Sequence, residues 1–293
     1  MKICEHIEDL RNALKESRAQ SLSIGLVPTM GALHAGHAAL IHQARAANAT
    51  VVVSIFVNPT QFGESEDFDH YPRTLEADLD LCRKAGVDLV FLPAALEMYP
   101  QPLQAHVAVE PLGNDLIGAI RPGHFRGVAT VVCKLFNIVQ PDRAYFGRKD
   151  FQQLTLIRRM VADLSFPIEV VGVPTVREAD GLALSSRNAR LDPNHRQASS
   201  VLSQALQRGS EMIEGGTRKP EPVLAAMRAM IEDEPLAELR SLDIRTAHHL
   251  EPVNQFTAEP VVILVTAQFG PVLLIDQREA QPAAGRSEPE EAR

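Results

Sequence analysis

Seven residues, 51–57 (VVVSIFV), constrain the fold more than any other stretch of the chain. They are β-branched or apolar with one serine, and they do not alternate. A strand apolar on both faces must be covered on both, as strands of parallel sheets are. Shorter runs follow the same rule: residues 23–27 (SIGLV), 87–92 (VDLVFL, stopped by Pro93), 143–146 and 168–173 (IEVVGV). Helical patterns separate them, over residues 37–48, 74–85, 128–139 and 151–164. The second has Leu75, Leu79 and Leu81 among charges and stops at Gly86; the third has Val132, Leu135, Phe136 and Val139 on one side. Strand and helix in alternation predict right-handed βαβ crossovers and a parallel sheet. Ligands of such sheets sit beyond the carboxyl ends of the strands.

Composition narrows the function classes. The chain has 293 residues, 45% hydrophobic and 23% charged, within the ordinary globular range. A net charge of -8 disfavours electrostatic binding of nucleic acid or anionic lipid, so any anion site must be local. Cys4, Cys82 and Cys133 are sparse and form no C-x-x-C pair, which argues against a disulfide framework and for a reducing, cytoplasmic setting. The opening MKICEHIEDL does not read as a secretory leader, and no apolar run approaches the ~18 residues of a membrane helix.

Beyond residue 175 the pattern changes. Residues 193–213 and 222–231 read as helices, and 236–246, 261–265 and 272–275 as strands. Helices followed by clustered strands predict a smaller α+β domain. The expected organisation is a nucleotide-binding domain over residues 1–175, an α+β lid over 176–281 and a disordered tail over 282–293, rich in Pro, Ala and charge. Residues 93–127, with many prolines and glycines and little periodicity, read equally as a functional wall or as a surface excursion.

The polar motifs fall after the strands. VPTMGALHAGH, residues 27–37, joins a strand end to a glycine turn and places His34 and His37 three apart at a helix start. A helix start presents unpaired N–H groups and the positive dipole end, which attract phosphate. H-x-x-H also occurs in zinc sites, but no cysteine pair completes one here. Gly31 and Gly36 would let a ligand approach the backbone. In SIFVNPTQF, Asn58, Pro59 and Thr60 form a turn and present Gln61, whose amide suits hydroxyls and a carboxylate. RPGHFRG, residues 121–127, is either an anion-binding cluster or an exposed basic loop. In YFGRKDFQQL, residues 145–154, Lys149 can neutralise phosphate, Asp150 can cap a helix or take a ribose hydroxyl, and Gln153 shares a face with Asp150. DGLALSSRN, residues 180–188, offers Ser185, Ser186 and Arg187 to phosphate oxygens. There is no nucleophile elbow and no P-loop. What remains is catalysis by positioning and electrostatic stabilisation.

Together these motifs, in this order and spacing, closely resemble the pantothenate synthetase (pantoate–β-alanine ligase) family, and H-x-G-H resembles the wider nucleotidylyltransferase superfamily. The resemblance runs over residues 24–188 and more loosely to about 275. It implies a Rossmann-like doubly wound α/β domain with a second, smaller α+β domain. It also implies ATP-dependent joining of (R)-pantoate to β-alanine through a pantoyl adenylate, with Mg²⁺, in a cytoplasmic homodimer. By that resemblance Met30, Gly31, Ala32, Leu33, His34, Ala35, Gly36 and His37 line the ATP site. Gly147, Arg148, Lys149 and Asp150 meet the nucleotide, with Asp150 at the ribose. The backbone of Val176 meets adenine, and Leu184, Ser185, Ser186 and Arg187 close on the triphosphate. His34, His37, Lys149 and Arg187 carry catalysis, Gln61 and Gln153 hold pantoate, and no protein metal ligand is expected. Arg121 resembles a family arginine near the site. Arg148 departs from the Glu or Gln usual there. A nucleotidylyltransferase acting on a phosphorylated acceptor and a non-catalytic nucleotide sensor are the competing classes; the acidic charge and the lack of an anticodon-binding extension disfavour a tRNA synthetase.

Overall fold

The computed structural model describes residues 1–63, 68 and 71–283. Of the expected tail, residues 284–293 lie outside the described residues. The chain divides into two compact units, Met1–Arg177 with Leu184–Ser186, and Glu178–Ala183 with the chain from Arg187 onward.

The first unit contains β1 (Lys2–Cys4), α1 (Ile7–Ala19), β2 (Ile24–Thr29), α2 (Ala35–Ala47), β3 (Thr50–Ile55), α3 (Leu75–Lys84), β4 (Leu89–Phe91), α4 (Ala95–Met98), α5 (Ile117–Ile120), α6 (His124–Val139), β5 (Arg143–Gly147), α7 (Phe151–Asp163) and β6 (Glu169–Val173). The six strands form one sheet in the order β1-β4-β3-β2-β5-β6, parallel throughout. Alternate strand residues feed two apolar layers, as the pleat demands. Leu26, Val52, Ala144 and Phe146 join α1, α6 and α7 on one face. Val27, Val51, Val53 and Tyr145 join α2 and α3 on the other. The sheet is therefore doubly wound, and the non-alternating run at residues 51–57 is explained by cover on both sides.

The second unit holds α8 (Pro193–Ala198), α9 (Val201–Glu214), α10 (Pro220–Glu232) and the antiparallel strands β7 (Glu238–Thr246), β8 (Val261–Phe269) and β9 (Val272–Ala280). Helices α9 and α10 pack closely at Gly209, where a Cβ would lie 2.4 Å from the Met227 sulfur. Their apolar side chains and the inner face of β8 make a separate core.

Three expectations change. The helix expected over residues 193–213 is two helices, because the hydroxyls of Ser199 and Ser200 donate back to the carbonyls of Arg196 (2.8 Å) and Gln197 (2.9 Å) at the break. The helix expected over 128–139 begins at His124, behind left-handed Gly123. Strands β8 and β9 run nine residues each, further than their apolar runs: in β8 polar Thr266 and Gln268 alternate with core-facing Ala267 and Phe269, and in β9 the pairing with β8 continues through the polar stretch Asp276–Glu279 to Ala280.

Candidate active site

The chain leaves β2 for β3 and β4 on one side and returns to β5 on the other. The order therefore reverses between β2 and β5, and sheets of this kind bind ligands outside the carboxyl ends of the two strands at such a reversal. Two motifs follow those ends directly: Met30–His37 after Thr29, and Arg148–Asp150 after Gly147.

His34 is the N-cap of α2 and His37 is its third residue. The Gly36 N–H donates to His34 Nδ1 (3.1 Å), and the His34 N–H donates to His37 Nδ1 (3.2 Å). The ring centroids are 4.2 Å apart, with the planes tilted by 47°. Both Nδ1 atoms are acceptors, so each neutral ring carries its proton on Nε2. Both rings are held neutral. Burial pushes His37 down to about 3, helped by His34 and Lys149 and opposed by Asp150. Burial and then Lys149 also lower His34, against Asp150. Lys149 and Asp150 thus act on both rings through charge. Gly36 is required by this cap, because a Cβ there would lie 2.8 Å from His34 Cε1.

The loop before the helix is anchored by a residue the motifs did not single out. Asp78, on α3 and only 2% exposed, accepts from the N–H groups of Ala32 (2.9 Å) and Leu33 (2.8 Å) and from the Thr74 hydroxyl (3.0 Å). Gly31 and Ala32 both have positive φ, +85° and +51°. A Cβ at Gly31 would sit 3.1 Å from Asp78 Oδ2.

Gln61, 7% exposed, ends a 3₁₀ turn at Pro59–Gln61. Its Nε2 donates to the Met30 sulfur (3.0 Å), and its Oε1 accepts from Asn58 Nδ2 (3.1 Å). Asn58 does more than build the turn. Its Nδ2 also reaches the Gly127 carbonyl (3.2 Å), and its Oδ1 accepts from Tyr99 (2.7 Å). The RPGHFRG motif is not a free basic loop. His124 Nδ1 donates to the Gln61 carbonyl (2.9 Å), Arg121 donates to His124 Nε2 (3.2 Å), and a Cβ at Gly127 would lie 2.3 Å from the Thr60 carbonyl oxygen. The start of α6 thus clamps the turn that presents Gln61.

After β5, Lys149 lies 3.8 Å from the Asp150 carboxylate. Asp150 occupies the N-cap of α7 but makes no side-chain cap bond, which removes the capping role weighed from sequence. Arg148 is half-buried, and its Nε donates to the Gly172 carbonyl (3.3 Å). Of the adjacent glutamines, Gln152 is tied into the fold: its Nε2 donates to the carbonyls of Leu112 (2.9 Å) and Asp115 (2.8 Å), and its Oε1 accepts from Ile117 (3.1 Å). Gln153 is half-buried outside that network. The Val176 carbonyl accepts from the Leu184 N–H (3.0 Å), and Tyr71 pairs with the Ser186 hydroxyl (3.2 Å), so Leu184–Ser186 are fixed within the first unit. Arg187 belongs to the second unit, where Asn188 bonds Glu178 (3.3 Å) and the Ala183 carbonyl (3.1 Å).

Among the described residues no group of three or more His, Cys, Asp or Glu side chains could hold a metal ion. The donors gathered here are imidazole N–H and ammonium groups, which suit phosphate oxygens and not a cation.

A doubly wound sheet with an H-x-G-H helix start at its switch point defines an α/β fold of the nucleotide-binding type. The family follows from comparison. The family model described as Pantoate-beta-alanine ligase matches residues 2–279, and the chain belongs to that family. The pantothenate synthetases of Sinorhizobium medicae and Rhizobium meliloti are each 50% identical to it over 286 residues, 98% of both chains. The crystal structure of the Thermus thermophilus enzyme superposes with a TM-score of 0.90 at 47% identity, covering 96% of this chain and all of that one. The pantoate–β-alanine ligase of Francisella tularensis, solved in complex with β-γ ATP and β-alanine, superposes with a TM-score of 0.78 at 32% identity, covering 95% and 97%.

Proposed function

We propose that the chain condenses (R)-pantoate with β-alanine to pantothenate in two steps. The pantoate carboxylate attacks the α-phosphorus of ATP, releasing pyrophosphate and leaving pantoyl adenylate. The β-alanine amine then attacks the acyl carbon and AMP departs. One observation carries this reading: two neutral imidazoles at the switch point, each with Nδ1 occupied by a backbone N–H and Nε2–H left as the donor. Fixed donors stabilise charge developing on phosphoryl oxygens without reorganising during the reaction. His34 and His37 act here as dipolar donors, and Lys149 supplies the formal positive charge.

The remaining assignments follow the family. Met30, Gly31, Ala32, Leu33, Ala35, Gly36, Gly147 and Arg148 contact ATP through the two loops, and Asp150, with no cap bond to make, takes a ribose hydroxyl. The Val176 backbone meets adenine, and Leu184, Ser185, Ser186 and Arg187 meet the triphosphate. Gln61, tethered through its Nε2 to Met30 and through its Oε1 to Asn58, and Gln153, outside the structural network, hold the pantoate hydroxyls and carboxylate. Mg²⁺ enters as the counter-ion of the ATP substrate, with no ligand set of its own among the described residues. The enzyme works as a cytoplasmic homodimer, which sedimentation and cell fractionation check.

The direct experiment is pantoate-dependent exchange of labelled pyrophosphate into ATP without β-alanine. Exchange is expected. Its absence, with the full reaction intact, overturns the adenylate route; formation of a dinucleotide in place of AMP and an amide identifies a nucleotidylyltransferase instead.

A further inference from the structure

We propose that Asp78 is a positioning residue for the adenylation step, acting on His34 through the loop at residues 31–33. The proposal rests on the reading of the site given above. Asp78 sits on α3, 45 residues from Leu33 and 46 from Ala32, yet its carboxylate takes the N–H groups of both. The two oxygens are divided: Oδ2 accepts from Ala32, and Oδ1 accepts from Leu33 and the Thr74 hydroxyl. The grip holds a backbone that would not hold itself. Ala32 has φ +51°, a conformation that disfavours any residue with a Cβ. Such strain persists only where surrounding contacts over-determine it. A side chain whose two oxygens take two adjacent amides fixes both peptide planes at once.

What the grip controls is the direction of the next residue. Leu33 is followed immediately by His34, whose ring caps α2 and whose N–H fixes the His37 ring. The path from Asp78 to both imidazoles therefore runs through two covalently adjacent peptides. The approach is also too close for an alternative side chain: a Cβ at Gly31 would meet Asp78 Oδ2 at 3.1 Å and Ile55 Cγ2 at 3.3 Å. Asp78 acts without touching substrate, since its carboxylate is taken up by Ala32, Leu33 and Thr74. It acts by holding two donors at one register relative to the phosphate.

The test is Asp78→Asn. Asparagine keeps the volume and one acceptor oxygen but turns an N–H donor toward a backbone N–H. Steady-state pyrophosphate exchange and binding of a non-hydrolysable ATP analogue are measured together, with ¹⁵N shifts of the histidine rings as the reporter of tautomer. The expected result is a folded protein whose exchange kcat falls by about 10²-fold, the loss an ångström of misplacement causes. ATP-analogue affinity weakens and the Nε2–H signature of His34 becomes mixed, while KM for pantoate stays near the parent value. Glutamate at position 78 is not expected to rescue, since its extra methylene has no room beside Gly31. A folded Asp78→Asn with parental kcat, analogue affinity and ring shifts overturns the proposal, as does an equal loss in pantoate and ATP affinity. If Asp78→Asn does not fold, Thr74→Val removes only the hydroxyl that steadies Oδ1; a several-fold loss in kcat supports the proposal and parental kinetics overturn it. Should the parent enzyme show no exchange at all, the adenylate reading fails, while the analogue affinity and ring shifts still decide the role of Asp78.

Discussion

Two helix starts flank the switch point, and they are built on opposite plans. The start of α2 is closed: each histidine ring accepts a backbone N–H, Gly36 leaves no room for a Cβ, and Asp78 grips the incoming loop. The start of α7 is open: Asp150 makes no cap bond, and a Cβ added at Gly147 would find nothing nearer than the Lys149 nitrogen at 4.0 Å. The α2 side supplies geometry and the α7 side supplies charge. Neutral donors must be aimed, so their backbone is over-determined. A long lysine beside a carboxylate that makes no cap bond acts through charge and tolerates a looser frame.

The largest expected effects break the closed side. His37→Ala removes a fixed donor and should lower exchange kcat by about 10²–10³-fold, as loss of one oxyanion donor does. Gly36→Ala should displace the His34 ring and cost a comparable factor, about 10²-fold. Parental turnover in either variant, measured by exchange, would make the two starts equivalent.

A pH series sharpens the electrostatic half of the contrast. An unfolded imidazole takes a proton near its ordinary value of 6.5, whereas half-buried His37 stays neutral down to about 3. Between those values the unfolded chain binds more protons, so His37 contributes its full share of stability above pH 6.5 and loses it as the pH falls toward 3, with a slope of at most about 1.4 kcal/mol per pH unit. His37→Gln should make the acid side of a Tm-against-pH curve shallower. Curves of equal slope would mean that the ring is charged in the fold.

Smaller effects separate capping from uncapped aspartates. Asp192 caps α8 through the N–H groups of Asn194 (2.9 Å) and His195 (3.1 Å). Asp192→Ala should cost about 1 kcal/mol by denaturant titration. Asp150→Ala and Gly147→Ala should change stability by no more than about 0.5 kcal/mol. A loss in ATP-analogue affinity in these two variants then reports ligand contact and not a damaged fold.

Local signals were legible in the sequence and distant ones were not. The run at residues 51–57 announced a strand covered on both faces; Gly31 and Gly36 read as room for a ligand at the backbone, whereas the space over them is taken by Asp78 and by the His34 ring. The short β1 gave no such signal, since it is three residues long and is held by pairing with β4, far along the chain. Asp78 reads as one more acid on an amphipathic helix; only the fold brings it to Ala32 and Leu33. Gln152 and Gln153 are chemically identical in the sequence, and helix α7 alone turns one into the loop at residues 112–117. The double serine at 199–200 did carry a local signal, hydroxyls able to bond back to the preceding turn, which the apolar periodicity around it outweighed.

The cap on α2 also makes its histidines inseparable from the backbone they cover. Each ring serves at once as a peptide's hydrogen-bond partner through Nδ1 and as a donor through Nε2. A substitution at either position strips an amide of its partner in the same stroke that removes a reactive group. Genetic drift at these two codons is therefore felt twice, in folding and in turnover, and a neutral intermediate between two such caps is hard to reach by single changes.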